Sequence, residues 1–253
     1  MHRFHLPPER WESGQLDASE SHHCATVLRL PEGEKVTVFD GAGREASATI
    51  TSSTSTGVGL KLGPSTLTPP PPCRIILGQA VPKGKNMDLI VQKAVELGAA
   101  HIFPLLSDRT IVQLDAGEAD KKREKWAEIA VEACKQCGQN HLPGVTRPLA
   151  PKAFFESGDR SELLVIASLQ PDARPLKSVL KDFCETHHRL PKSATVLVGP
   201  EGDFTPAELS LAKSHGFLPI TLGPIILRTE TAAIYCLSVL GHELFSSEQE
   251  TTL

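Results

Sequence analysis

The order of apolar and polar positions divides the chain into two rhythms. Up to about residue 68 the pattern is short and alternating. Val36 and Val38, then Ala46, Ala48 and Ile50, alternate with polar neighbours on either side of Gly41-Ala42-Gly43, which predicts a β-hairpin. Val58, Leu60 and Leu62 carry the alternation on and predict a further short strand. The Ser/Thr run at 51–56 reads as a polar loop or an exposed strand face. "PSTLTPPPPC" (64–73) then predicts a stiff spacer and a domain boundary, because runs of proline favour polyproline II and donate no ladder hydrogen bonds.

From Cys73 onward, continuous apolar runs alternate with helical patterns. Strands are expected at 74–81, 101–106, 163–169, 195–199 and 218–223. Between them, "NMDLIVQKAVELG" predicts a helix stopped by Gly98. "DKKREKWAEIAVEACKQCG" predicts another, with Trp126, Ile129, Ala130, Ala133 and Cys137 on one face. Further helices are expected at 175–188, 206–215 and about 231–245. At the second of these, Thr205 is placed as N-cap, Pro206 in the first turn and Glu208 to complete a capping box. Buried strands alternating with helices imply an α/β domain on a mostly parallel sheet.

Composition narrows the function classes. A chain of 253 residues can bury one large core or two modest ones. No apolar leader opens it and no apolar stretch approaches the ~18 residues of a membrane span, so a cytoplasmic protein with no membrane role is expected. Six scattered cysteines do not make a disulfide framework. The formal net charge of −4 argues against holding nucleic acid by bulk charge. Basic and acidic side chains number 6 and 8 in residues 1–72, 11 and 9 in 73–150, and 9 and 13 in 151–253. Any RNA contact is therefore expected to be a local patch.

Three stretches could carry chemistry. "CKQCGQNH" offers Cys134, Cys137 and His141, half of a zinc site without its second half, so core packing is the stronger reading and no metal is expected. "DKKREK" (120–125) is either a solvated face or an RNA-facing edge. The third, "LVGPEGDFTPAE", places strand-end glycines before a helix N-terminus, where α/β proteins bind ligands. It lacks the Gly-Lys-Ser/Thr of a P-loop and the G-x-G-x-x-G of a dinucleotide fold, and Glu201 and Asp203 would repel a phosphate. The loop suits a neutral or cationic ligand gripped by main chain that glycine lets come close; a plain Gly-Pro turn is the alternative. "TLGPIILRTETAAIY" (221–235) repeats the device, so two such loops could face one another across a crevice. No G-x-S-x-G elbow is present, which disfavours an α/β hydrolase.

Together with "GQAVPKGKNMDLIVQKAVELGAAHIFPLLSDR" and "VLRLPEGEKVTVFDGAG", these loops resemble the 16S rRNA (uracil-N3) methyltransferases of the SPOUT superfamily, in order over nearly the whole chain. The resemblance implies a PUA-like RNA-binding β-barrel at 1–68 and an α/β SPOUT domain tied in a trefoil knot at 74–253. It also implies S-adenosylmethionine as cofactor, a homodimer, and 16S rRNA or the small ribosomal subunit as substrate. Carried over by position, the cofactor residues are Leu197, Gly199, Pro200, Glu201, Gly202, Leu222, Gly223, Ile226, Leu227 and Thr231. Arg228 and Glu230 fall where the family keeps a polar pair beside the reacting base, and Arg29, Lys83 and Arg109 match basic positions that would face RNA. A sulfonium cation would account for two carboxylates and no lysine in the loop. The chain departs from the family at Asp203, usually glycine, at Ile225, usually arginine, and at Gln139, often arginine. A SPOUT enzyme acting on another RNA position and a non-catalytic ribosome-assembly protein are the other readings.

Overall fold

In the computed structural model, which describes residues 1–54, 57–112, 114–156 and 161–245, the alternating part of the chain forms a four-stranded sheet. Its elements are β1 (Arg3–His5), α1 (Pro8–Trp11), α2 (Ala18–His22), a π-helical turn (His23–Val27), β2 (Lys35–Phe39), β3 (Arg44–Thr54) and β4 (Gly57–Leu67). β2 and β3 are the antiparallel hairpin, β4 pairs antiparallel with β3, and β1 runs parallel to β2. The alternation is cashed out in one core: Val36, Val38, Ala46, Ala48, Ile50 and Val58 are buried with Phe4, Leu6, Trp11 and Leu16. Residues 51–54 of the Ser/Thr run extend β3, while 55 and 56 lie outside the described residues. β4 runs further than the spacer at 64–73 would allow. Pro64 is tolerated because the ladder skips there, from Ala48↔Leu62 to Ala46↔Ser65, so no paired N–H is required of it.

This first compact unit comprises Met1–Pro70 and also Val131–Leu142. Side-chain bonds tie the second segment in. Lys135 Nζ donates to Glu20 at 2.9 Å, Arg3 donates to the Asn140 side-chain oxygen at 2.7 Å, and Asn140 Nδ2 donates to Thr68 at 2.9 Å.

The second unit holds β5 (Arg74–Ala80), α3 (Asn86–Glu96), β6 (Ala99–Leu105), most of α4 (Ala116–Cys137), β7 (Gly144–Val145), α5 (Pro151–Glu156), β8 (Leu163–Ala167), β9 (Arg174–Pro175), α6 (Leu176–His187), β10 (Ser193–Val198), α7 (Pro206–Ser214), β11 (Leu218–Thr221) and α8 (Thr229–Phe245). All five strands and all five helices expected here are present. The seven-stranded sheet runs β7-β6-β5-β10-β8-β11-β9, and every pairing is parallel. The fold is thus a small, mostly antiparallel sheet followed along the chain by an α/β domain. Because β10 lies between β5 and β8, and β11 beside β8, the C-terminal ends of four strands open at one edge.

Two details of the helices differ from the sequence reading. On α4 the buried residues are Ala119, Trp126, Ala130, Ala133 and Cys134, while Cys137 is exposed, so the buried stripe ends three positions earlier, at Cys134. On α8 the buried face (Ala232, Ala233, Cys236, Leu237, Leu240, Leu244) packs on α3 and β5 of its own unit. That apolar face is therefore covered within its own unit. No helix among the described residues is long and apolar enough to cross a membrane.

Candidate functional site

The strand ends build one cavity. β10 stops at Val198, and the chain turns through Gly199-Pro200-Glu201-Gly202-Asp203 into the capping box of α7. Thr205 accepts from the Glu208 amide at 3.3 Å, and the Thr205 amide donates to the Glu208 carboxylate at 2.8 Å. The other Glu208 oxygen accepts from the Asp108 amide at 2.9 Å. Arg109 donates to the Gly202 carbonyl. This loop is fixed at each end by side chains from elsewhere in the unit.

The second Gly-Pro loop, between β11 and α8, is held differently. Within it, Gly223 has a φ of +116°, and its amide donates to Thr221 Oγ1 at 3.3 Å. Ile225 and Ile226 are 74% and 73% exposed, an unusual state for two adjacent large apolar residues. At the far end Thr229 is buried, and its hydroxyl donates to the Gly199 carbonyl at 2.7 Å while accepting from Gln79 Nε2 at 2.9 Å. Gln79, at the end of β5, also donates to the Ala80 carbonyl at 2.8 Å. One hydroxyl thus joins the ends of β5 and β10 to the start of α8.

A cavity of about 360 Å³ lies among these segments, lined by residues 167–171 and 173, 198–201 and 203, and 221–227, with Thr229 and Ala232. Glu201 and Asp203 are its charged side chains among the described residues, none of whose lysines, arginines or histidines lines it. Main-chain groups, apolar walls and two carboxylates fit a ligand with an apolar body and a positive charge, and would repel a phosphate.

Of the residues expected to grip a cofactor, Gly199, Pro200, Glu201, Leu222, Gly223, Ile226 and Leu227 line this cavity. Leu197 does not: it is buried in the sheet core, where a Cβ on Gly78 would come within 2.3 Å of it. Strand alternation turns Leu197 away and brings Val198 to the cavity. Gly202 stays outside the lining with its carbonyl on Arg109. Thr231 is exposed on α8, and Thr229, two residues earlier, takes the place at the wall.

Arg228 and Glu230 flank Thr229 without lining the cavity. Arg228 is exposed, caps α8 through its carbonyl (Ala232 N–H, 2.8 Å), and makes no side-chain hydrogen bond or ion pair among the described residues, Glu230 included. Lys83, after β5, is exposed. Arg109 is exposed as well, but its guanidinium is engaged by Gly202. Arg29, in the first unit, is exposed and has a φ of +54°, a conformation that glycine adopts more readily. Burial pushes the Cys73 thiol up to about 11 and those of Cys134 and Cys236 to about 12, so none of the three is poised as a thiolate. No group of three metal-ligating side chains occurs among the described residues.

Sequence reasoning missed Thr229, Gln79 and the whole 168–173 wall. Gln79 left a trace as a polar residue inside the apolar run "RIILGQAV", and buried polar groups are bonded groups. The wall left none, because its contribution depends on β8 lying beside β10.

Residues 69–241 match a family model described as an RNA methyltransferase domain, and residues 16–62 match one described as an RNA methyltransferase PUA domain. A Bacillus subtilis protein named ribosomal RNA small subunit methyltransferase E is 30% identical over 231 residues, covering 90% of this chain and 89% of that protein. Its Synechocystis namesake is 32% identical over 227 residues, 89% of this chain and 72% of that one. The solved ribosomal RNA small subunit methyltransferase E from Neisseria gonorrhoeae, bound to S-adenosyl methionine, matches with a TM-score of 0.82 at 31% identity, over 96% of this chain and 98% of that chain. A Legionella pneumophila protein solved with bound cofactor SAM gives 0.85 at 33% identity over the same shares.

Proposed function

Since the chain belongs to the ribosomal RNA small subunit methyltransferase E family, we propose that it methylates N3 of a uridine in 16S rRNA, using S-adenosylmethionine. The observation that carries this reading is the cavity itself: two Gly-Pro strand-end loops, main-chain donors and acceptors, and carboxylates with no cation among them. S-adenosylmethionine, when bound, supplies an electrophilic methyl group on a sulfonium. Gly199, Pro200, Leu222, Gly223 and Leu227 would hold its body through main chain and apolar contact, with Glu201 favouring its charge.

The base must lose its N3 proton before the nitrogen can attack. Arg228 makes no side-chain bond or ion pair among the described residues, so its guanidinium is available to bond a uracil carbonyl and favour the anionic base. Glu230, on the first turn of α8, makes no ion pair with Arg228 and can accept the proton directly or through water. Arg29 and Lys83 supply local positive charge for RNA in a chain whose net charge is acidic. The reading also includes a trefoil knot in the second unit, a rare threaded topology, and a homodimer. With the apolar face of α8 used internally, a dimer would need exposed residues such as Leu89 and Tyr235. Light scattering that gives a monomer at micromolar concentration would remove the dimer.

Mass spectrometry of nucleosides from small-subunit rRNA of a deletion strain tests the function. Loss of 3-methyluridine, restored by the wild-type gene, is the expected result. Loss of a different methylated nucleoside would move the reaction to another position, and an unchanged profile would remove it.

A further inference from the structure

Asp203 stands where the family resemblance implies glycine, and the backbone there suits one: its φ is +62°. Aspartate is among the few residues that enter this region, because a short carboxylate can bond locally. Both oxygens are used. Oδ1 accepts from the Phe204 amide at 2.7 Å, and Oδ2 accepts from the Leu169 amide at 3.2 Å. The first bond is local, but the second reaches the cavity wall that follows β8. That wall has its own internal bonds, from the Gln170 amide to Ser168 Oγ at 3.2 Å and from the Ala173 amide to the Gln170 carbonyl at 3.0 Å. Its two ends are joined to β11, the first through the Ser168 amide and the Ile220 carbonyl and the last where it runs into β9, while an exposed Asp172–Lys213 pair, a kind of contact worth little, reaches α7. Towards the 199–203 loop, its hydrogen bond is the one from the Leu169 amide to Asp203.

We propose that Asp203 is a positioning residue that latches the 168–173 wall to the 199–203 loop, and so sets how long a bound cofactor stays. This rests on the cofactor reading above. The latch works through an acceptor oxygen on a main-chain amide, and a full charge on that oxygen is not required. Asparagine, which keeps an acceptor oxygen and also tolerates positive φ, should serve nearly as well. Glycine fits the backbone better and has no acceptor, so it separates the latch from backbone strain.

The test compares wild type, Asp203→Gly and Asp203→Asn for binding of S-adenosylmethionine and of its neutral product S-adenosylhomocysteine, with amide exchange followed at Leu169. Asp203→Gly should weaken both ligands alike, by about fivefold to tenfold on the scale of one hydrogen bond, mainly through faster dissociation. Its Leu169 amide should lose protection without ligand, and Asp203→Asn should recover most of both effects. Equal binding by wild type and Asp203→Gly overturns the proposal. So does an Asp203→Asn variant that loses S-adenosylmethionine but keeps the product, because charge would then be the cause. Wild-type protein that binds neither ligand would instead sink the cofactor reading, and the latch with it.

Discussion

The same device, a strand running through Gly-Pro to a helix, is built twice around one cavity and held in two different ways. The 199–203 loop is bonded by Arg109, Thr229 and its own Asp203, and it feeds a capping box whose Glu208 also holds Asp108. The 222–228 loop has a weak local bond at Thr221, presents Ile225 and Ile226 to solvent, and leaves Arg228 unbonded among the described residues. The first is preorganised before any ligand arrives. The second keeps its catalytic candidate uncommitted. This division suits a transfer in which a small cofactor is held firmly and a large RNA substrate completes the site.

The largest test of this contrast is Arg228. Removing it should leave the first loop and cofactor affinity nearly untouched, while methyl transfer falls by ~10²-fold or more, the scale for one preorganised donor. Arg228→Lys should rescue only part, since an ammonium lacks the planar fork. Raising the pH should partly restore Arg228→Ala by deprotonating N3 without help. Single-turnover transfer that matches wild type at saturating RNA would leave the second loop without a catalytic group.

Thr229 is where the two loops meet, and breaking it should blur the difference between them. Thr229→Val keeps the shape but strands a buried Gln79 N–H and the Gly199 carbonyl, at about 1–3 kcal/mol for such a loss. Denaturant unfolding, followed by Trp126 fluorescence in a Trp11→Phe background, should show that destabilisation, and Thr229→Ser should recover most of it. A Val variant as stable as wild type would mean that the shared hydroxyl does not hold the strand ends together.

What could be read from the sequence follows the same division. The strand–helix alternation, the Thr205–Glu208 cap and the acidic character of the first loop are local, and spacing alone carries them. Seven of the ten positions carried over for the cofactor line the cavity, because a loop's main chain travels with its motif. Leu197 and Thr231 fall elsewhere because which side of a strand or helix faces the cavity depends on tertiary placement, and linear spacing does not encode it. The joining of Val131–Leu142 to the first unit was equally invisible, since Lys135 and Asn140 find their partners more than 70 residues away. Cys137 shows the limit of periodicity: the helix continues to it, but the core does not.

A smaller effect is expected at the cap of the first loop. Thr205→Ala removes the N-cap oxygen of α7 and should cost about 1 kcal/mol. Because Arg109 and Thr229 still hold the loop, cofactor affinity should change by less than about threefold, within what one hydrogen bond is worth. A fall in affinity well beyond threefold would show that the cap, rather than the ties from other elements, preorganises the loop. Thermal unfolding and calorimetry on the same sample separate these outcomes.

The smallest expected effect belongs to the second loop. Ile225 is 74% exposed, so an arginine there needs no repacking, and the family resemblance places an arginine at this position. One added cation that reaches a phosphate should tighten binding of a 16S rRNA fragment by a few fold and steepen the log–log salt slope by about 0.7–0.9. The first loop should not register the change. S-adenosylmethionine affinity should fall slightly or stay level, because a positive charge placed at the rim of an acidic cavity opposes a cationic ligand. If Ile225→Arg tightens RNA without steepening the salt slope, the gain would come from stacking on the base rather than from charge. The second loop would then contact the reacting nucleotide directly, and the contrast with the first would become one of ligand as well as of order.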